Sequence, residues 1–410
     1  MKNRIGIIGG GQLGRMLGFE AKKMGFIVAV MDATPHSPAG QVVDLQLEGG
    51  YSDPEMTEEL AEISDFLTIE IEHINTETLK KLVKQGIKVN PSPETIEIIK
   101  DKFVQKQFLL KHKIPTAPYA AVIPSETRRL ITSPLVGKRN RGISNTRVDK
   151  GIEDLSTALE MTIEEIAKKF NYPIILKKRL NAFDGRGNYL IQKRADIRKA
   201  LEKLGTESLY VEKVLPFVKE LAVVIARDMK GNIAAYPVVE TIHKNNICHI
   251  VIAPAKISPK LQKKAQTLAK KVMKQIKGAG VFAIEMFLDK KGNVLVNEIA
   301  PRVHNSGHYT IEACYTSQFE QHIRAITGLP LGSTAMKVPA AVMINILGER
   351  KGEVDVKHLE KVLHMPQVSV HIYGKAENKP ERKMGHITVL DETVEKAYKK
   401  AIKARKMLHI

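Results

Sequence analysis

The chain is predicted to be a mixed α/β and α+β protein that opens with a Rossmann-like sheet, and three observations predict it. Residues 1 to about 110 alternate short β-branched runs with amphipathic stretches, the pattern of parallel strands joined by helices. Gly9-x-Gly11-x-x-Gly14 lies between the first such run and the first helix, where a tight turn brings helix amides to an anion. Far downstream, Glu285 and Glu298 stand in two short apolar runs divided by the turn-like Asp289-Lys-Lys-Gly-Asn293, which reads as a β-hairpin.

Taken in order, Arg4 to Ile8 is the first strand, Gln12 to Met24 the first helix, Ile27 to Met31 the second strand with Asp32 at its end, and Phe66 to Glu72 an acid-containing strand. With the glycine loop, Asp32 completes a formal dinucleotide fingerprint, so an NAD-dependent dehydrogenase is one reading of this region. In the middle part, about 111 to 335, the strand Tyr172 to Lys177 ends on a lysine. Phe183-Asp-Gly-Arg-Gly-Asn188 then leads into the strand Tyr189 to Gln192. Glycines there let backbone approach phosphates, and Lys177 offers a point charge. Tyr210-Val-Glu-Lys-Val-Leu215 and Glu220 follow. Gln262 to Ile276 is an amphipathic helix, with Ala265, Leu268, Ala269, Val272, Met273 and Ile276 on its apolar face.

If Lys291-Gly292 is a two-residue loop, Lys290 faces Asn293, and Glu285 lies directly across from Glu298 on the same face. Opposed side chains stand roughly 4.5–5.5 Å apart at Cβ, and like charges there repel, so the pair asks for a cation. Two carboxylates with the amide of Asn297 beside them suit Mg²⁺, which keeps waters and shares phosphate oxygens; two solvated acids are the alternative. The next stretch, Ala300 to Thr310, brings together Arg302, His304, Asn305, Ser306, His308, Tyr309 and Thr310 without a hydrophobic period. A guanidinium and imidazoles beside a metal-binding hairpin suit a polyphosphate and phosphoryl transfer. In the last part, about 336 to 410, Val370-His-Ile-Tyr-Gly-Lys375 and Arg382-Lys-Met-Gly-His386 form a cationic set suited to a phosphate monoester. Helix Glu392 to Leu408, acidic at its start and lysine-rich at its end, follows the dipole rule.

Composition sets outer limits. The 410 residues carry a net charge of +19 and two cysteines, Cys248 and Cys314. No signal peptide or membrane span is visible, so the chain reads as cytoplasmic and reduced. The charge invites a nucleic-acid reading. Its lysines are spread over the wet faces of helices, however, and no basic run is interleaved with stacking aromatics. Phosphorylated ligands account for part of the excess, and a warm-living source is another explanation.

The run Asn297-Glu-Ile-Ala-Pro-Arg-Val-His-Asn-Ser-Gly-His308, together with Gly6 to Met16 and Arg382 to His386, resembles the 5-(carboxyamino)imidazole ribonucleotide synthase family of ATP-grasp ligases over nearly the whole chain. The resemblance implies an ATP-grasp fold. Its parts are a Rossmann-like pre-ATP-grasp domain (1–110), an ATP-grasp domain (111–335) with a lid at about 170–212, and a C-terminal substrate-closing domain (336–410). It implies ATP and Mg²⁺, with Mn²⁺ as a substitute, and carboxylation of the exocyclic amine of 5-aminoimidazole ribonucleotide by bicarbonate through carboxyphosphate. Glu285 and Glu298 become metal ligands. Lys102, Lys177, Gly185, Arg186, Gly187, Asn188, Glu212, Lys213, Val214, Leu215, Glu220, His243, Asn297 and Glu298 become nucleotide-side residues. Gln12, Leu13, Glu70, His304, Asn305, Lys375, Arg382 and Lys383 face the ribonucleotide, and Asp184, Arg302 and Lys375 are the catalytic set. The family suggests a homodimer and a separate mutase for the product. A formate-using glycinamide ribonucleotide transformylase would share the metal pair.

Departures from the family are Asn181-Ala182 for two glycines, Phe183 for tyrosine, Thr241 for asparagine, Val303 for proline and Glu381 for glycine. Added sequence follows Ile123, and its stretch from Ser125 to Lys150 holds seven basic and two acidic residues. It reads as a disordered or oligomer-contacting loop, with RNA contact as the alternative.

Overall fold

The structure, a computed structural model, describes residues 3–123, 148–181 and 187–410. The chain divides into a larger unit of residues 1–100, 108–115 and 217–410 and a smaller unit of residues 101–107 and 116–216.

The larger unit begins as β1 (Arg4–Ile8), α1 (Gln12–Lys23), β2 (Ile27–Asp32), β3 (Leu45–Glu48), α2 (Pro54–Glu62), β4 (Phe66–Ile69), α3 (Thr76–Lys84), β5 (Lys88–Val89) and α4 (Pro93–Lys100), before α5 (Lys102–Lys111). The five strands make the expected open parallel sheet, in the order β3-β2-β1-β4-β5. Their near-continuous apolar runs follow from coverage on both faces. Helices α2 and α3 start where the Asp53 and Asn75 side chains each accept two backbone N–H groups. The acid-containing strand stops at Ile69 and does not reach Glu72. Its partner β1 ends at Ile8, the Glu70 N–H makes a last bond to the Ile8 carbonyl at 3.0 Å, and the chain leaves the sheet.

The smaller unit holds β6 (Tyr119–Ala121), α6 (Val148–Phe170), β7 (Ile174–Lys178), β8 (Asn188–Ile191), α7 (Asp196–Leu204) and β9 (Leu209–Lys213). Its four strands pair antiparallel in the order β6-β9-β7-β8, over a core that includes Ile163, Leu176, Ile191, Leu201 and Val211. Most of the basic insertion and of the 183–188 loop lies outside the described residues.

The larger unit continues with β10 (Phe217–Arg227), β11 (Ile233–Ala235), β12 (Val239–Lys244), β13 (Ile247–Ala253), α8 (Pro259–Met273), β14 (Gly280–Asp289), β15 (Val294–Ala300), α9 (Thr310–Ala313) and α10 (Gln318–Thr327). It ends with β16 (Ala340–Leu347), β17 (Gly352–Glu353), α11 (Leu359–Leu363), β18 (Val368–Ile372), β19 (Glu377–Asn378), β20 (Lys383–Asp391) and α12 (Val394–Met407). A nine-stranded sheet runs β15-β14-β10-β12-β13-β16-β20-β18, with β11 on β10. One face buries Leu221, Ile284 and Val296 with Ala265, Ala269 and Val272 of α8. The other shares a core with the parallel sheet, where Ile5, Leu17 and Val30 meet Ala222, Ala283, Phe319 and Ile323. Buried His322 of α10 links the two sheets: its Nε2 lies 2.7 Å from Thr68 Oγ1 of β4, and its Nδ1 accepts the Val281 N–H of β14 at 3.0 Å. Helix α8 starts at Pro259 under a Ser258 cap, three residues before the start read from periodicity, because proline at the first helical position fixes the start. Thr393 likewise caps α12 so that it starts at Val394, and Ala397, Ala401 and Ala404 are buried.

Candidate active site

The hairpin β14–β15 places Glu285 opposite Glu298, as the sequence predicted, but by a different route. The loop has three residues, not two: Asp289 pairs with Asn293 through its N–H at 3.0 Å, and Gly292 takes φ +76°. That pairing alone would shift the ladder by one residue. A bulge between Glu285 and Met286 shifts it back, so that Met286 faces Val296 and Asn297 is the extra residue. Val294, Val296 and Ile299 can then all enter the core with Met286 and Leu288, while Glu285 and Glu298 stay half-buried on the opposite face.

His304 lies next to the pair, with Nε2 3.4 Å from Glu285 Oε1. The Ser306 backbone N–H points at His304 Nδ1 from 3.3 Å, which makes Nδ1 the acceptor and puts the proton on Nε2. Burial, then the charges of Arg302 and Lys383, hold this imidazole far below its ordinary pKa, so it is a neutral donor. Gln318 fixes the segment: its Oε1 accepts the His304 N–H at 3.0 Å, and its Nε2 donates to the His304 carbonyl at 2.7 Å and faces His308 Nδ1 at 3.1 Å. Among the described residues no cluster of three or more His, Cys, Asp or Glu side chains is arranged to hold a metal ion. Two opposed carboxylates with an amide beside them fit a hard cation that completes its shell with water and phosphate oxygens.

Arg302 is clamped by Glu72, with Nε to Oε2 at 2.7 Å and Nη2 to Oε1 at 3.5 Å. Burial pulls the guanidinium down, but Glu72, then Glu70 and Glu298, hold it above its ordinary value. His243 Nδ1 stands 3.0 Å from Glu220 Oε2. Burial lowers this imidazole, and Glu220 and then Glu285 outweigh it, leaving the pKa raised. Arg382 Nη1 donates to the Glu377 carbonyl at 2.9 Å, and Lys383 opens β20. Lys375 follows Gly374, whose carbonyl accepts from Gln41 Nε2 at 2.7 Å, and its Nζ lies 6.0 Å from the Tyr373 ring centroid.

The glycine loop is filled from within. The Gly11 and Gly14 N–H groups donate to Glu70 at 2.5 and 2.6 Å, and the Gly10 N–H donates to Asp32 at 2.8 Å. A dinucleotide pyrophosphate would need those amides, so the arrangement disfavours the dehydrogenase reading. Burial raises the Glu70 carboxyl despite these donors. Leu13 turns its side chain into the core, so it can offer a ligand only backbone. Asn305 is also committed: its amide and that of Asn345 donate to each other at 3.1 and 2.6 Å, and Asn345 donates to the Cys248 carbonyl at 2.7 Å.

In the smaller unit Glu212 is gripped by Lys177 at 3.0 Å, Lys106 at 3.1 Å and the Tyr210 hydroxyl at 3.1 Å. Burial pushes its pKa up, yet the two lysines bring it to about 2. With both oxygens engaged, the carboxylate is a counter-ion for the lysines, and Val214 and Leu215 lie just past the end of β9. Lys102 is buried, and its N–H bonds the Arg179 carbonyl at 2.8 Å. Gly187 precedes β8 and Asn188 opens it. Asp184, Gly185 and Arg186 lie outside the described residues.

The larger unit thus brings together Glu70, Glu220, His243, Glu285, Asn297, Glu298, Arg302, His304 and Lys383. Sequence reasoning missed Glu72, Lys106, Gln318 and Asn345. Glu72 was signalled by its i+2 spacing from Glu70, and Lys106 by its i+4 spacing from Lys102. Gln318 and Asn345 carry no local signal.

Three families match in succession: ribonucleotide synthetase preATP-grasp domain over residues 1–100, ATP-grasp domain over 152–319, and phosphoribosylaminoimidazole carboxylase C-terminal domain over 341–400. A phosphoribosylaminoimidazole carboxylase of Ogataea methanolica is 42% identical over 397 residues, covering 95% of this chain and 67% of the relative. The chain spans about two thirds of the length of such fungal relatives. The crystal structure of N5-carboxyaminoimidazole ribonucleotide synthetase from Thermotoga maritima superposes with TM-score 0.83 at 46% identity, covering 100% of this chain and 99% of that one. The Aspergillus clavatus N5-carboxyaminoimidazole synthase, crystallised with ADP and 5-aminoimidazole ribonucleotide, gives TM-score 0.84 at 35% identity over 99% of both chains.

Proposed function

Because the chain belongs to the N5-carboxyaminoimidazole ribonucleotide synthase family of ATP-grasp ligases, we propose that it carboxylates the exocyclic amine of 5-aminoimidazole ribonucleotide with ATP and bicarbonate, in purine biosynthesis. The observation that carries this reading is the opposed pair Glu285 and Glu298 beside Arg302 and His304, in a chain similar along its whole length to such synthases.

Glu285 and Glu298, with Asn297 beside them, would hold Mg²⁺, or Mn²⁺ in its place, which when bound screens the phosphates and draws charge from the γ-phosphoryl group. A bicarbonate oxygen attacks the γ-phosphorus, the bond to the β-phosphate oxygen breaks, and carboxyphosphate and ADP result. Arg302 spreads charge over the transferring group. On the family's pattern Lys102 and Lys177 would face the phosphates, Gly185 to Asn188 would cover them, and Lys213 to Leu215, Glu220 and His243 would take the nucleoside. The amine then attacks the carboxyl carbon, phosphate leaves, and the amine proton passes to Asp184 while Lys375 orients the nitrogen. Arg382 and Lys383 take the ribonucleotide phosphate, and Gln12, Glu70 and His304 the remainder. Cys314, its thiol pushed up to about 12 by burial, offers no nucleophile, and positioning needs none. A cytoplasmic homodimer whose product passes to a mutase completes the reading. Among the described residues no helix is long and apolar enough to cross a membrane.

The test is phosphate release from ATP with Mg²⁺ and bicarbonate, with and without 5-aminoimidazole ribonucleotide, in wild type and Glu298→Gln. Release that requires the ribonucleotide and is lost in the variant is the expected result. Stimulation by formate and another amine instead would overturn the carboxylase reading.

A further inference from the structure

Glu72 is absent from the set of residues given a role above, yet it is nearly fully buried at 4% exposure and makes the closest ionic contact of Arg302. The two come from positions 230 residues apart. Glu72 follows the end of β4, and Arg302 follows the end of β15, two residues after Ala300. The guanidinium therefore lies close in the chain to Glu298, one of the two opposed acids. Glu70 and Glu298 are the next carboxylates whose charge acts on it.

A buried cation without its first partner turns to another anion, because leaving it unpaired costs several kcal/mol. Here the other carboxylates whose charge acts on it are Glu70, which holds the glycine loop, and Glu298, four residues before it in the chain and required by the metal reading. We infer that Glu72 is a positioning residue that keeps Arg302 off Glu298, and so preserves the Glu285–Glu298 pair as a cation site. This rests on the reading of that pair given above. By accepting from Arg302 Nε, Glu72 also sets which edge of the guanidinium is left for the reacting phosphoryl group.

The experiment is Mn²⁺ binding in the presence of ADP, read as free Mn²⁺ by electron paramagnetic resonance, for wild type, Glu72→Gln, Glu72→Asp and the double variant Glu72→Gln/Arg302→Met, with thermal unfolding of each. Glu72→Gln is expected to weaken Mn²⁺ binding about tenfold. Glu72→Asp should restore most of it, and the double variant, which lacks the stray cation, should bind Mn²⁺ more tightly than Glu72→Gln. A merely structural role for Glu72 would leave the double variant no better than the single one, which overturns the inference. Equal Mn²⁺ affinity in wild type and Glu72→Gln overturns it as well. If wild type binds no Mn²⁺ with ADP, the metal reading itself fails and the inference with it. If Glu72→Gln unfolds, comparing the double variant with Glu72→Asp decides.

Discussion

The glycine loop after β1 and the glutamate hairpin β14–β15 look alike in sequence, since each is a short motif that advertises an ion. In the structure they are opposites. The loop's amides are already met by Glu70, just past β4, and by Asp32 at the end of β2, so its anion site is part of the fold. The hairpin sets two carboxylates directly opposite each other with a neutral imidazole beside them, an arrangement suited to a cation. The difference teaches that a motif is functional only so far as the fold leaves its polar groups something to do.

The comparison breaks most sharply at Glu298. Glu298→Gln is expected to lower ribonucleotide-dependent phosphate release by about a thousandfold, roughly 4 kcal/mol, with little change in the thermal midpoint. On the loop side, Gly9→Ala should cost about 3 kcal/mol in urea denaturation, because φ is +109° and the new Cβ would stand 2.3 Å from Glu70 Cγ. Adding Glu70→Ala removes the clash but also the acceptor of the Gly11 and Gly14 N–H groups, so the double variant should be no more stable than Gly9→Ala.

His322, which joins the two regions, sharpens the comparison through pH. Burial holds its pKa at about 3, against 6.5 for the free side chain. A depressed histidine contributes stability that is whole above the unfolded value and is lost as pH falls towards the folded one. From pH 7 to 4.5 the loss should be roughly 2–3 kcal/mol. His322→Gln should flatten that part of the stability profile, and an unchanged slope would place the acid sensitivity in other buried histidines. The smallest expected effect is none: NAD⁺ should neither protect the loop from proteolysis nor change protein fluorescence, and saturable binding would reverse the comparison.

Local pattern carried a good part of this. The run Arg4 to Ile8 could only be a buried strand, and the opposed acids were recovered by counting. The count succeeded although the loop was one residue longer than assumed, because the bulge cancelled the error. The bulge was itself legible: apolar residues at 294, 296 and 299 are spaced two and then three apart, which strict alternation forbids. The clamp of Glu72 on Arg302 and the amide pair Asn305–Asn345 were not legible, because they join residues 230 and 40 positions apart through tertiary packing, which no local period encodes.

The extra residue of β15 has a consequence for how this sequence tolerates change in length. Deleting a residue from a central strand ordinarily turns the strand inside out. Deleting Asn297 would instead join Val296 directly to Glu298 and leave every other pairing of the hairpin in place. The shortened chain should keep Val294, Val296 and Ile299 on the core face. At this one position a frame-preserving codon loss spares the alternation that a deletion elsewhere in the strand would invert.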